Sequence, residues 1–289
     1  MINGSIVALV TPFDEDNNID YFALDKMLKY QIDNKTDGIL LLGTTGESEA
    51  LNDDEKYNLV KHSLDYVSNK IKIMVGLISN VPDRIIELAN IFKDLDIDSF
   101  LVSGPYYIKT NDSGLIKYFT YIADRVDKPI ILYNVPKRTG LSISFDVVRL
   151  LSYHHNIIGI KEASGDMSYQ TKISSICNDS FVLYGADDET MLSSLVLGAK
   201  GIISVIGNAF PREVSLIVKS FSKNLDISRV AFYKIHNLIR DMFLETSPIP
   251  IKYLMYIKGF SSSKTRMPLG EVSLYLKRKV EEDYLILLE

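Results

Sequence analysis

Short apolar runs alternate along the chain with segments whose apolar residues recur at helical spacing. The runs are Ile6–Val10, Gly38–Leu42, Ile71–Leu77, Ser99–Ser103, Pro129–Val135, Ile157–Ala163, Phe181–Gly185 and Gly201–Ile206. They are bounded by polar residues and rich in β-branched side chains, the pattern of strands buried on both faces of a parallel sheet. Between them the periodicity predicts helices such as Asp53–Val67, Val81–Leu95, Leu115–Val126 and Pro211–Phe221. Asn52 followed by Glu55 makes a capping box, and Pro82 suits a first helical turn. Eight such repeats within residues 1–225 predict an α/β fold, the (β/α)8 or TIM barrel. An open doubly wound sheet is the competing topology. It usually has fewer strands and a glycine-rich turn after the first, where this chain has Thr11-Pro12-Phe13.

From about Asp226 the alternation stops. Ile227–Phe243, Ile249–Ile257 and Val272–Leu288 all read as helix, separated by Ser247-Pro248-Ile249-Pro250 and Met267-Pro268-Leu269-Gly270. The expected organisation is a catalytic barrel over residues 1–225 with a helical appendage over 226–289. The pattern leaves open whether that appendage serves the active site, an oligomer interface or stability alone.

Composition narrows the function. The chain is 46% hydrophobic and 24% charged, an ordinary globular balance, and no apolar stretch reaches the ~18 residues of a membrane helix. A net charge of −5 argues against a nucleic-acid surface. Met1–Ser5 lacks the basic and apolar regions of a secretory signal, and the single cysteine, Cys177, cannot form an internal disulfide. Together these predict a cytoplasmic enzyme. The four histidines (His62, His154, His155, His236) show no metal-ligand spacing, and the pair His154-His155 is expected in a surface turn.

Lys161 breaks the apolar pattern of the sixth run, Asn156–Ser164. A lysine in a core strand must find a counter-charge, snorkel outward, or lose its proton and become a neutral amine able to attack carbonyl carbon. In a barrel of this kind the chemistry lies at the carboxyl ends of the strands. The second run leads into Gly43-Thr44-Thr45-Gly46-Glu47-Ser48, whose small residues leave backbone N–H groups and hydroxyls free for an anion, or simply make a tight turn. The fourth leads into Gly104-Pro105-Tyr106-Tyr107, and the fifth into Tyr133-Asn134-Val135-Pro136-Lys137-Arg138-Thr139-Gly140. Period-two alternation puts Lys161 on one face with Gly159 and Ala163, leaving space beside it. Tyr133 ends the adjacent strand, placed either to shuttle protons or to fill the core. Arg138 is suited to a two-pronged grip on a carboxylate.

These motifs, with Gly159-Ile160-Lys161-Glu162-Ala163, resemble those of the dihydrodipicolinate synthases, also called 4-hydroxy-tetrahydrodipicolinate synthases. They belong to the pyruvate-dependent class I aldolase superfamily that includes N-acetylneuraminate lyase. The resemblance spans almost the whole chain, through Pro248-Ile249-Pro250-Ile251-Lys252. It implies an imine between Lys161 and pyruvate, with no metal or dissociable cofactor, and condensation with L-aspartate 4-semialdehyde. It further implies a proton relay of Tyr133, Thr44 and Tyr107, the last from a neighbouring subunit, hence a tight dimer and a homotetramer built from two. Thr45 and the backbone of Ile203 would hold pyruvate, and Arg138 the second substrate.

Two departures stand out. Tyr184-Gly185-Ala186-Asp187-Asp188 differs from the serine-glycine-aspartate pattern of the synthases and approaches that of the lyases, so Gly185 and Ala186 are weaker substrate-binding candidates. Arg138 and its Arg-Thr-Gly run favour the synthase, with the lyase and a non-catalytic binding barrel as alternatives. Where lysine-inhibited synthases have an acidic and histidine-bearing pocket, this chain keeps Ser48, Asn80 and Tyr106 but has Glu49, Lys56 and Arg84. Weak or absent inhibition by lysine is the expectation.

Overall fold

The apolar runs close into a ring. A computed structural model describes residues 1–288, and its strands are β1 (Gly4–Ala8), β2 (Gly38–Leu41), β3 (Lys72–Leu77), β4 (Ser99–Ser103), β5 (Ile130–Asn134), β6 (Ile157–Glu162), β7 (Val182–Gly185) and β8 (Gly201–Ser204). They pair in parallel in chain order, and β8 closes onto β1. The fold is therefore the (β/α)8 barrel rather than an open sheet.

Two strands, β1 and β8, end two residues sooner than their apolar runs. The Val10 N–H donates to Asn208 Oδ1 at 3.0 Å. Beyond β8, the Val205 and Ile206 N–H groups donate to Asp188 Oδ2 at 2.9 and 2.8 Å. In both places a buried side chain takes the donor that a ladder would otherwise use. Burial pushes the Asp188 carboxyl up to about 6, against the opposing pull of these backbone donors.

Alternate strand residues fill the barrel. Ile6, Leu40, Met74, Leu101, Ile131, Val182 and Ile203 pack in its interior, while the other face of each strand packs under the helices. Asn52 and Glu55 form the expected capping box on the helix Asp53–Val67, and Pro82 opens the helix Pro82–Ile91. No helix among the described residues is long and apolar enough to cross a membrane.

After the last barrel helix, Pro211–Phe221, the chain turns at Asn224 into the helix Leu225–Asp241, which packs along it. The helices Ile249–Ile257 and Leu274–Leu288 follow, and the latter packs on Leu225–Asp241. At that contact Lys279 bonds Asp283 and lies 3.9 Å from Asp241. Burial, and then the shared hydrogen bond with Asp283, push the Asp241 carboxyl up to about 6. A carboxyl raised on folding contributes stability below its ordinary value near 3.8 that is lost as pH rises through about 6. Asp241→Asn should therefore gain stability relative to the wild type as pH rises from about 4 to about 7, and no further above that. Thermal unfolding of both at each pH checks this; a constant difference would refute it.

Candidate active site

Barrel closure places Lys161 beside Tyr133. The two are direct partners in the β5–β6 register, and the Lys161 Nζ lies 4.1 Å from the centroid of the Tyr133 ring. Both side chains are buried. The neighbouring acid, Glu162, is no counter-charge for the lysine. It points to the other face of β6, where it accepts from Asn134 Nδ2 and the Ser164 N–H, each at 2.6 Å. Burial raises its carboxyl above the usual range, and those two donors oppose the rise. The same Asn134 accepts from the Ile143 N–H at 3.0 Å, so the ends of β5 and β6 are bound together beneath the site.

Above Lys161 opens a cavity of about 490 Å³. Thr44 and Thr45 line it from the 3-10 turn Thr44–Gly46 that follows β2, and Thr45 is buried. The Thr11 hydroxyl donates to the Gly46 carbonyl at 2.7 Å and fixes that turn to the end of β1. Ile203 contributes from β8, and Ala186 and Asp187 from the loop after β7. Arg138 enters from the short helix Pro136–Thr139, which Gly140 ends in the left-handed conformation at φ 70°. Lys137 lines the wall too, so two cationic side chains, Lys137 and Arg138, join Lys161 in a lining shared with Asp187 and Glu245. This balance suits an anionic guest.

The wall opposite the strands was not legible in the sequence. It is Phe243–Ser247, the segment joining two appendage helices. Arg138 Nη2 donates to the Ser247 carbonyl at 2.7 Å, so the appendage both closes the cavity and aims the guanidinium.

Two expected site residues lie elsewhere. Gly185 is in β7 but faces out of the barrel: a Cβ there would meet Ser194 Cβ at 2.5 Å, so its small size serves packing against the helix Met191–Val196. Tyr107 is 93% exposed and outside the cavity wall. Its φ of 65° is uncommon for a non-glycine residue, and its N–H donates to the Thr139 carbonyl at 3.2 Å. The strained backbone thus projects the ring away from its own chain.

The histidines are engaged away from the cavity. His62 bonds Asp25 at 2.6 Å, His154 bonds Asp124 at 3.0 Å in the turn before β6 and stacks on His155, and His236 packs on Phe232.

A second buried lysine escaped sequence reasoning. Lys252 pairs with Glu47, the residue that ends the Thr44–Gly46 turn, and both side chains are almost wholly shielded from solvent. Burial lowers the Lys252 ammonium to about 8, with the Glu47 carboxylate pulling the other way. Removing one partner of such a pair costs about 3–5 kcal/mol. Its one signal in the sequence is a lone charge within the apolar helix Ile249–Ile257.

Comparison with known proteins agrees with this geometry. The model of the dihydrodipicolinate synthetase family matches residues 1–285. The chain belongs to that family. A 4-hydroxy-tetrahydrodipicolinate synthase from Brachyspira hyodysenteriae is 39% identical over 94% of this chain and 93% of its own. The dihydrodipicolinate synthase of Thermotoga maritima superposes with a TM-score of 0.96 at 31% identity, covering 99% of both chains. That of Acinetobacter baumannii, solved in complex with pyruvate, gives 0.96 at 34% identity and the same coverage.

Proposed function

We propose that this chain condenses pyruvate with L-aspartate 4-semialdehyde, the 4-hydroxy-tetrahydrodipicolinate synthase reaction of the diaminopimelate route to lysine. The observation that carries the reading is a buried lysine amine, without a carboxylate partner, that meets a tyrosine, two threonines and an arginine at one cavity. The Lys161 amine adds to the ketone carbon of pyruvate. Loss of water from the carbinolamine leaves an imine, and loss of a methyl proton leaves an enamine. The enamine carbon attacks the aldehyde. The amino group of the second substrate then attacks the imine carbon, closes the ring and releases Lys161.

The roles are those that the resemblance implies. Thr45 with its backbone, and Ile203, hold the pyruvate carboxylate; Tyr133 and Thr44 carry protons to and from the carbinolamine. Tyr107 completes that relay from a neighbouring subunit, which accounts for a strained, exposed ring. The working unit is then a homodimer at least, two of which form a homotetramer in the cytoplasm. Neither a metal nor a dissociable cofactor enters this scheme. Arg138 grips the carboxylate of the semialdehyde.

Borohydride reduction with pyruvate should fix a covalent adduct on Lys161, and turnover should require aspartate semialdehyde. Adduct formation with turnover of N-acetylneuraminate instead would transfer the chain to the lyase branch. No adduct would favour a binding barrel. Arg138→Leu should raise KM for the semialdehyde roughly 10–100-fold, the worth of one or two charge-assisted hydrogen bonds. KM for pyruvate should stay within about threefold, because the two carboxylates are held by separate groups.

Lysine should inhibit weakly or not at all. The Tyr106 N–H donates to Asn80 Oδ1 at 2.8 Å and the Tyr106 hydroxyl to Glu49 at 3.3 Å, so these residues do meet. Arg84, however, pairs with Asp53 and Glu87 beside them. Asp53 and Glu87 are thereby taken by a cation, and Arg84 with Lys56 would set like charges against a lysine ammonium. Half-inhibition by sub-millimolar lysine would sink this expectation.

A further inference from the structure

The Glu47–Lys252 pair lies outside the cavity, yet it joins its two walls. Glu47 ends the turn that presents Thr44 and Thr45, and its φ of 53° is left-handed, a conformation a glutamate does not hold without restraint. The restraint is visible. One carboxylate oxygen takes the Lys252 ammonium, and the other accepts from the Arg266 N–H at 2.9 Å. Lys252 Nζ also donates to the Lys264 carbonyl at 2.7 Å and sits 4.0 Å from the centroid of Phe13. Arg266 continues the clamp to the Ala50 carbonyl at 2.9 Å and to Glu55 at 2.6 Å. Lys252 lies in the first turn of its helix, which begins two residues after Ser247, whose carbonyl receives Arg138. One short stretch, Ser247 and the first turn of that helix, therefore holds the threonine turn at one point and the guanidinium at another.

We infer that Glu47 and Lys252 are positioning residues that set the separation between the Thr44–Thr45 turn and Arg138, and so the fit of both substrates together. This rests on the reading that Thr45 holds pyruvate and Arg138 the semialdehyde. Neither Glu47 nor Lys252 touches substrate. Their effect passes through the groups they place: Thr45 and Arg138 set the apparent affinities, and Thr44 in the same turn brings a fall in kcat with them.

The test is the double variant Glu47→Gln/Lys252→Met, which keeps volume and removes both buried charges. Folding is followed by circular dichroism and thermal unfolding, and imine formation by borohydride trapping. KM for both substrates should rise about tenfold or more, whatever fall in kcat the displaced Thr44 brings. A merely structural role predicts only a loss of active enzyme, which lowers kcat and leaves KM alone. Unchanged KM values in a folded variant would overturn the inference. Should the double variant fail to fold, Glu47→Gln alone, which keeps shape and an acceptor, takes the same readouts. Thr45→Val separates the two readings. If it leaves KM for pyruvate unchanged, the assignment of Thr45 fails. If it raises KM while the Glu47 variants do not, the positioning role fails.

Discussion

Lys161→Arg is expected to lower kcat roughly 10³-fold or more, because about 4 kcal/mol of barrier reduction depends on a covalent imine. Arginine retains length and positive charge, so an electrostatic role for Lys161 would survive the change. A guanidinium stays protonated at any accessible pH and offers no lone pair to the ketone of pyruvate. The amine of Lys161 sits against the Tyr133 ring with no carboxylate partner among the described residues: Glu162 turns to the opposite face and Glu47 is taken by Lys252. Borohydride with pyruvate should add no mass to the variant, while its unfolding temperature stays near that of wild type. Residual turnover within tenfold of wild type would mean that the imine forms elsewhere or not at all.

Tyr133→Phe is the second large effect, a fall in kcat of roughly 10²-fold or more, the usual worth of one general acid–base group. The ring that packs 4.1 Å from the Lys161 amine remains, and only the hydroxyl is lost. The lysine should therefore still form its adduct, but slowly, because carbinolamine formation and dehydration each need a proton delivered and removed. Stopped-time trapping would show a delayed approach to the same final adduct. A trapping rate within about threefold of wild type would remove Tyr133 from the relay.

The apolar runs located the strands, because a strand covered by helices on one side and barrel interior on the other tolerates few polar residues. The same constraint made Lys161 conspicuous. Strand ends were less legible: Val10 continues the apolar pattern but leaves the ladder, since its N–H is claimed by Asn208, 198 residues away. Gly185 sits in a motif that suggested substrate contact, yet its place in β7, opposite Glu162, turns it outward onto Ser194 of the helix Met191–Val196. The Arg138 side chain advertised a carboxylate grip, and nothing local told that Ser247 would aim it.

By itself, the sequence determined the barrel, the positions of its strands and the residues able to do imine chemistry, because periodicity and side-chain type act over a few residues. Only the tertiary structure decided that the appendage closes the cavity, and that Lys252 and Glu47, 205 positions apart, lock the threonine turn in place. Such pairings depend on where barrel closure and helix packing bring distant segments, which no local pattern encodes. Lys161 and Lys252 show the difference plainly. Both are lysines in apolar surroundings, but Lys252 has a carboxylate beside it and Lys161 has none among the described residues, which fits the one to a clamp and the other to the proposed nucleophile.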